Sequence, residues 1–422
     1  MQKLIIKGNQ NLAGSIKISG SKNATLPILA ATILSNKPTK LKNIPLVQDV
    51  FTMIRLLKFI GINIKVSSKK KILNINNNRQ LKTVAPYKLL KTMRAGVLVL
   101  GPLLAKYKKA KVSLPGGCAI GSRPVNLHLL ALEKLGAKIK IKNGYIYASA
   151  KNGLKGNIIR FPSISVGATE NAILAAVTAK GKTTLHNCAL EPEIKDLIIF
   201  LQKMGSNIKL MPRRKIIIQG KEISNTVTHS IIFDRIELGT YLIAAALVGK
   251  KVDLLNVYPS VVKNEIRILK KMGVKLKVYR NKISVFKTKK ILKIDIKTQP
   301  FPGFPTDLQA QIMVLMTKAI GTSKIKENIF ENRFMHVPEL KRMGAMIEIK
   351  NNTAHIKGPS TLTGAEVMAT DLRASVSLVL AALVAENRTI INRVYHLDRG
   401  YENLEKKLRN CRANIKRTSN EG

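Results

Sequence analysis

The sequence predicts an α/β fold of six repeated units, with helices inside, sheets outside and three repeats in each of two lobes. Three observations carry that expectation. A helical pattern that is apolar nearly all round occurs six times in 422 residues. Each copy is followed by an amphipathic helix that closes on Gly or its counterpart, and then by an alternating strand. The apolar patterns start 72, 73, 68, 71 and 66 residues apart, a period that marks a repeat architecture.

The elements follow in order. The first apolar pattern begins at Lys22 (KNATLPILAATIL). It recurs at Arg94 (RAGVLVLGPLLA), Gly167 (GATENAILAAVTAKG), Arg235 (RIELGTYLIAAALVG), Thr306 (TDLQAQIMVLMTKAIG) and Leu372 (LRASVSLVLAALVAE). A helix without a polar face is buried on every side. The second helices carry Lys and Glu on one face, as in VNLHLLALEKLG and NEIRILKKMG, so one side of each is wet. They close with FIGINIKV, KLGAKIKI, KMGSNIKL, KMGVKLKV, RMGAMIEI and NCRANIKR. Gly61, Gly136, Gly205, Gly273 and Gly344 supply the left-handed residue that ends a helix. Arg412 takes that place in the sixth copy, which should therefore end less comfortably. The strand pattern over Lys138–Ala148 (KIKIKNGYIYA) alternates as half-buried strands do.

The first turns of the buried helices are polar: Ser21-Lys22-Asn23, Arg94, Thr169-Glu170, Asp234-Arg235-Glu237, Thr306-Asp307 and Asp371-Arg373. Repeats related by rotation gather three such N-termini at one end of each lobe. Free N–H groups and positive dipole ends favour anions there, so a cleft for a phosphate-rich ligand is expected. Capping explains Thr306 and Asp371. It does not explain the cations Lys22 and Arg94; Arg235, between Asp234 and Glu237, fits a structural ion pair equally well.

Composition excludes several classes. The chain holds 73 Lys+Arg against 24 Asp+Glu, a formal charge of +49, which invites a nucleic-acid reading. The charge is scattered, however, with no Trp and no basic-aromatic interleaving. Drift toward A/T-rich codons accounts for it. Cys118, Cys188 and Cys411 are too few and too dispersed for a disulfide framework or a zinc site, which fits a reducing cytoplasm. The start, MQKLIIKGNQ, lacks a signal-peptide core, and stretches such as Val97–Ala105 are too short to span a membrane.

Several longer motifs point further: GSKNATLPILAA, LPGGCAIGSRPVNLH, SVGATENAI, FPTDLQAQ, IFENRFMHVPEL, MATDLRASVSLVLA and YHLDRGYENLEKKL. Together they resemble the UDP-N-acetylglucosamine 1-carboxyvinyltransferases, the enolpyruvyl transferases of peptidoglycan synthesis, along essentially the whole chain. The resemblance implies two inside-out α/β barrel lobes, each of three βαβαββ-type units. Residues 1–21 with 232–422 would form one lobe, and 22–231 the other. The shikimate-pathway enolpyruvyl transferases share the repeats but lack the loop PGGCAIGSRP. A basic nucleic-acid-binding repeat protein and a paralogue without turnover are the remaining alternatives.

The implied reaction moves enolpyruvyl from phosphoenolpyruvate to the 3'-hydroxyl of UDP-N-acetylglucosamine and releases phosphate. By resemblance Lys22, Arg94, Arg123 and Arg399 grip phosphoenolpyruvate, and Asn23 orients the sugar and the intermediate. Asp307 lies beside the 3'-hydroxyl as proton acceptor. Arg123, Pro124, Val125, Asn126 and Leu127, with Ser163, Ile164, Ser165, Val166 and Ile329, face the nucleotide. Asn126 stands where the family usually has Asp, and Ser163 where some members have Lys. Asp371, Arg373, Glu331 and Arg333 match polar motifs that structural ion pairs explain equally well. His128 and His396 read first as structural. Met204, Met272 and Met343 read as core, and Cys188 and Cys411 as inert.

Cys118 is the remaining candidate. Gly116, Gly117 and Gly121 make its segment pliable, and Arg123 favours thiolate character. The resemblance makes Cys118 the proton-donating, adduct-forming thiol and the target of the epoxide fosfomycin, with Cys188 and Cys411 spared. No cofactor and no metal is implied. The expected partners are the two small-molecule substrates, with no nucleic acid and no membrane, and the expected state is a cytoplasmic monomer.

Overall fold

A computed structural model describes residues 2–77, 80–116 and 125–419 of the chain. They fall into two compact units: residues 2–19 with 233–419, and residues 20–232. Six sheets are formed by the described residues, three in each unit. All six share one order, a parallel pair followed by two antiparallel pairs. One reads Val227–Ser230, Thr39–Lys42, Ile72–Asn76 and Asn63–Ser67.

That sheet also shows how a unit closes. Val227–Ser230, the last strand of residues 20–232, lies parallel to Thr39–Lys42, the first. The other unit closes through the N-terminus. Gln2–Lys7 pairs antiparallel with both Arg388–Asn392 and Ile415–Ser419, and Leu12–Lys17 runs parallel to Gly249–Leu255. Ring closure is thus why the start of the chain belongs with its second half. Where the chain leaves one unit for the other, neighbouring segments are tied within each. Asp234 donates its N–H to the Ser19 carbonyl at 2.8 Å, and Ser21 donates to the Ile232 carbonyl at 2.7 Å.

The apolar patterns form the buried helices. In one unit these are Lys22–Ala31, the 3-10 turn Arg94–Val99 continuing as Leu100–Tyr107, and Val166–Ala176. In the other they are Arg235–Val248, the turn Thr306–Leu308 continuing as Gln309–Met316, and Leu372–Val384. Every residue of Leu372–Val384 but the last is buried, as its composition requires. Within each unit the three helices pack on one another, and the sheets cover them. Each fully buried Leu, Ile or Val there contributes about 1.5–3 kcal/mol.

The second helices end alike. In each, the residue after the left-handed position reaches back to close the last turn, as Ala137 does to the Leu132 carbonyl at 3.0 Å. The five glycines have φ between 83° and 119°. Arg412 adopts the same conformation at φ 71°, with Ala413 bonded to the Leu408 carbonyl at 3.0 Å. The sixth turn therefore keeps the geometry and carries a side chain in a region that disfavours one.

Lys138–Ala148 is not a single strand. It is a hairpin of Lys138–Lys142 and Tyr145–Ser149, because Asn143-Gly144, both at positive φ, make a two-residue turn. Among the described residues, no helix is long and apolar enough to cross a membrane.

Candidate active site

Asp307 lies in the first turn of its buried helix, in the unit of residues 2–19 and 233–419. Its carboxylate is held by both oxygens. Arg333 donates to Oδ1 at 2.7 Å and Arg373 to Oδ2 at 3.0 Å. The two arginine side chains are 5% and 9% exposed, whereas Asp307 is 28% exposed. The guanidiniums are thus buried, and the aspartate side chain is the most exposed of the three. Charge-assisted pairs of this kind fix orientation as well as contributing energy.

Behind this pair lies the Tyr401 hydroxyl, which is buried. Arg373 Nη1 donates to it at 3.2 Å, Gln311 Nε2 lies at 3.3 Å, and Thr240 Oγ1 at 2.9 Å. Thr240, Gln311 and Arg373 each come from a different buried helix. Side chains from all three buried helices thus meet around one oxygen.

Ile329 sits on a loop fixed by buried Glu327. That carboxylate accepts the N–H groups of Ile329 at 2.8 Å and Phe330 at 3.2 Å, and the hydroxyls of Thr298 and Thr306 at 2.9 Å each. Thr306 therefore does not cap its helix as expected. Pro305 precedes the turn, no side chain caps it, and the Thr306 hydroxyl is committed to Glu327. Asp371 does cap, accepting from the N–H groups of Arg373 and Ala374. Glu331 is exposed. Arg399 follows the short helix Tyr395–Asp398, which Arg417 anchors by two bonds to Asp398 (2.8 and 3.0 Å) while making two more to Glu405 (2.9 and 3.2 Å). Burial, then Arg399, pushes the His396 imidazole down. The guanidinium of Arg235 lies 5.7 Å from the centre of the Phe301 ring, and its neighbour Glu237 pairs with Lys407.

In the unit of residues 20–232, Ser21 caps the first buried helix by accepting from Ala24 N–H. Lys22 follows, buried, with its ammonium 3.0 Å from Asp49. The counter-ion that a cation at a helix N-terminus needs is thus in place, on the first turn of Gln48–Ile60. Asn23 and Arg94 are half-buried. The turn Arg94–Val99 packs against Lys22–Ala31, so these two cations belong to neighbouring helix starts.

Asn171 ties that region together. Its carboxamide oxygen accepts Gly101 N–H at 2.8 Å, and its nitrogen donates to the Val97 carbonyl at 3.2 Å and faces His128 Nδ1 at 3.1 Å. A side chain at Gly101 would meet the Asn171 oxygen, so the close approach needs glycine. With an amide donor on Nδ1, the His128 ring carries its hydrogen on Nε2 and is neutral. Burial, reinforced by Arg94, pushes it down to about 4. His128 has a structural partner, as the plain reading expected.

The nucleotide-facing positions differ among themselves. Val125 is buried, Leu127 is half-buried, and Asn126 is exposed at the start of Asn126–Lys134. Ser163 is exposed, while Ile164, Ser165 and Val166 are half-buried. Ser165 caps Val166–Ala176 by accepting from Ala168 N–H at 3.3 Å. Cys118, Arg123 and Pro124 lie outside the described residues. Cys188 and Cys411 are buried, and burial pushes their thiols up to about 12 and about 11. Met204, Met272 and Met343 are core.

Residue-by-residue reading missed Tyr401, Gln311, Thr240, Asp49 and Asn171. It also missed the significance of Glu170. Burial, then Glu193 and Glu191, drives that carboxyl well above the ordinary range.

Comparison with known proteins places this chain. The EPSP synthase (3-phosphoshikimate 1-carboxyvinyltransferase) family matches residues 6–408. A UDP-N-acetylglucosamine 1-carboxyvinyltransferase of Pelagibacter ubique is 59% identical over 99% of this chain and 100% of its own length. One from Rickettsia prowazekii is 52% identical with the same coverage. Among solved structures, the enolpyruvyl transferase NikO of Streptomyces tendae has a TM-score of 0.89 at 22% identity, covering 99% of both chains. An EPSP synthase from Acinetobacter baumannii has a TM-score of 0.77 at 16% identity, covering 99% of this chain and 100% of its own. At those identities the two structures speak to the fold alone. The chain belongs to the EPSP synthase family and, within it, to the UDP-N-acetylglucosamine 1-carboxyvinyltransferases.

Proposed function

We propose that this chain transfers enolpyruvyl from phosphoenolpyruvate to the 3'-hydroxyl of UDP-N-acetylglucosamine by addition and elimination, the first committed step of peptidoglycan synthesis. The observation that carries the reading is Asp307, held by both oxygens between two buried arginines and partly exposed, in a chain 59% identical along its length to an enzyme of that name.

In this reading the Asp307 carboxylate takes the proton of the 3'-hydroxyl as its oxygen bonds to the substituted carbon of phosphoenolpyruvate. Cys118 gives a proton to the methylene carbon, which becomes a methyl group. The resulting tetrahedral intermediate then loses phosphate together with one methyl proton, leaving the enol ether. Lys22, Arg94, Arg123 and Arg399 balance the charge of phosphate and carboxylate, the arginines by paired bonds. Asn23 orients the sugar. Residues 123–127, 163–166 and Ile329 hold the nucleotide. Asp307 and Arg399 act from the lobe of residues 1–21 and 232–422. Lys22, Arg94 and the Cys118 loop act from residues 22–231. The enzyme works as a monomer in the cytoplasm, without a cofactor.

Incubation with both substrates tests the reading. Phosphate and an enolpyruvyl UDP-sugar are expected in equal amounts. Turnover with shikimate 3-phosphate and not with the UDP-sugar would reassign the acceptor. No phosphate with either acceptor overturns the reading.

A further inference from the structure

We propose that Tyr401 is a positioning residue for the proton-accepting group: its buried hydroxyl fixes Asp307 through Arg373 on one side and Gln311 on the other. The proposal rests on the function proposed above, because it concerns the carboxylate assigned there as the acceptor.

The geometry assigns each hydrogen. Arg373 donates to the Tyr401 oxygen at 3.2 Å; Gln311 Nε2 gives one hydrogen to the Asp307 carbonyl and shares the other between Tyr401 at 3.3 Å and Thr240 Oγ1 at 3.2 Å. Thr240 already donates to the Ile236 carbonyl at 2.8 Å. Its Oγ1 is therefore the acceptor for the Tyr401 hydrogen, at 2.9 Å. The hydroxyl hydrogen therefore has a single orientation, toward Thr240.

Its two donors both continue to Asp307. Arg373 Nη2 reaches the carboxylate at 3.0 Å, and Gln311 Nε2 reaches the Asp307 backbone carbonyl at 2.9 Å. One oxygen thus fixes both the side chain and the backbone of the residue, through two closed paths of one intermediary each. The loop carrying Arg333 bonds the other carboxylate oxygen at 2.7 Å, so Arg333 alone leaves rotation about that contact. The Tyr401 path removes it. Tyr401 lies two positions after Arg399, so the same short segment carries a proposed substrate ligand and the group that orients the acceptor. A general base must lie within hydrogen-bond reach of its proton, and misplacement by an ångström is enough to slow a reaction by orders of magnitude.

Four variants test this: Tyr401→Phe, Arg373→Lys, the two combined, and Thr240→Val, each assayed for phosphate release and melting temperature. Tyr401→Phe keeps the ring packing and removes the acceptor. It should lower kcat about ten-fold and leave KM for the UDP-sugar within about two-fold. The double variant should be slower than Arg373→Lys alone by much less than the factor Tyr401→Phe costs by itself, because one of the two paths from the hydroxyl runs through that guanidinium. Thr240→Val removes the hydrogen's acceptor and a competing acceptor of Gln311, but neither bond to Asp307. It should lower the melting temperature to a similar degree and leave kcat within about two-fold. Should Tyr401→Phe not fold, Gln311→Met carries the same kcat expectation. A Tyr401→Phe enzyme with wild-type kcat, or effects that simply add in the double variant, overturns the proposal. A wild type that releases no phosphate overturns the assignment of the reaction together with it, whereas an active wild type beside an unimpaired variant overturns this inference alone.

Discussion

The two lobes solve one packing problem with different chemistry. Each ties buried helices together around a polar hub. In residues 20–232 the hub is the Asn171 carboxamide, which satisfies the backbone of Val97 and Gly101 and a neutral His128. In residues 2–19 and 233–419 it is the Tyr401 hydroxyl, which joins three helices and continues through Arg373 to Asp307. The first hub is uncharged and closed on itself. The second ends in an ion pair whose aspartate is partly exposed. An amide bonded to backbone holds helices together and does little else, whereas a hydroxyl feeding a guanidinium holds them and aims a charge. The repeat supplies the frame, and side chains within it decide which lobe carries the proposed acceptor.

The sharpest way to break this comparison is Asp307→Asn. The amide keeps the shape and loses the base. A positioned general base contributes about 10²- to 10⁴-fold, so kcat should fall by that much while the helices stay packed. Arg373 would lose its charged partner in a buried site, so the melting temperature should fall as well. The counterpart in the other hub, Asn171→Leu, should do the reverse. It leaves Gly101 N–H without its side-chain acceptor, at about 1–3 kcal/mol, and strips the Val97 carbonyl and His128 of one partner each, the carbonyl keeping the Leu100 N–H. A loss of about 3 kcal/mol in urea unfolding, with turnover preserved below the transition, is expected. If Asn171→Leu abolishes turnover in a protein that remains folded, the closed-hub reading is wrong.

Acid probes the same contrast. His128 is held near 4 by burial and Arg94, and His336 in the other lobe is held near 4 by burial, with Asp371 opposing. An ordinary imidazole takes its proton near 6.5, so the unfolded chain binds protons before the folded chain does. Stability therefore falls as pH drops from about 6.5 to about 4, by up to about 3 kcal/mol for each histidine. His128→Gln should flatten the part of that slope due to residues 20–232, and His336→Gln the part due to the other lobe. Urea midpoints measured between pH 7.5 and 4.5 would show it, and an unchanged slope in His128→Gln would remove that histidine as the cause.

What was legible in the sequence was local. Six buried helices, their amphipathic partners and the capping glycines all follow from spacing within one repeat. The motif around Asp307 singled out that residue because its type and neighbours are fixed over a few positions. The hubs were not legible. Thr240 meets Tyr401 across 161 residues, Gly101 meets Asn171 across 70, and Lys22 meets Asp49 across 27. No periodicity encodes such pairings; the ring closure of each lobe creates them. Thr306 shows the same limit. Its type and place suit a cap, but Glu327, 21 residues on, takes the hydroxyl.

The smallest effect tests how far the repeat itself governs stability. Arg412 occupies the left-handed position that Gly205 fills in the corresponding turn of the other lobe. A side chain there costs about 1–2 kcal/mol, and glycine gives back about 0.5–1 kcal/mol through its freer unfolded state. Arg412→Gly should therefore stabilise the protein by about 0.5 kcal/mol. The reverse exchange at Gly136 isolates the conformational part, because a Cβ there meets no atom within 4 Å. Gly136→Ala should destabilise for backbone reasons alone. At Gly344 a Cβ would lie 2.9 Å from the Thr361 carbonyl oxygen, so Gly344→Ala should cost more than Gly136→Ala. Urea midpoints for the three variants give the order. If Arg412→Gly destabilises, the arginine side chain makes contacts that outweigh its backbone strain, and the sixth turn departs from its five counterparts by selection of that contact rather than by tolerance.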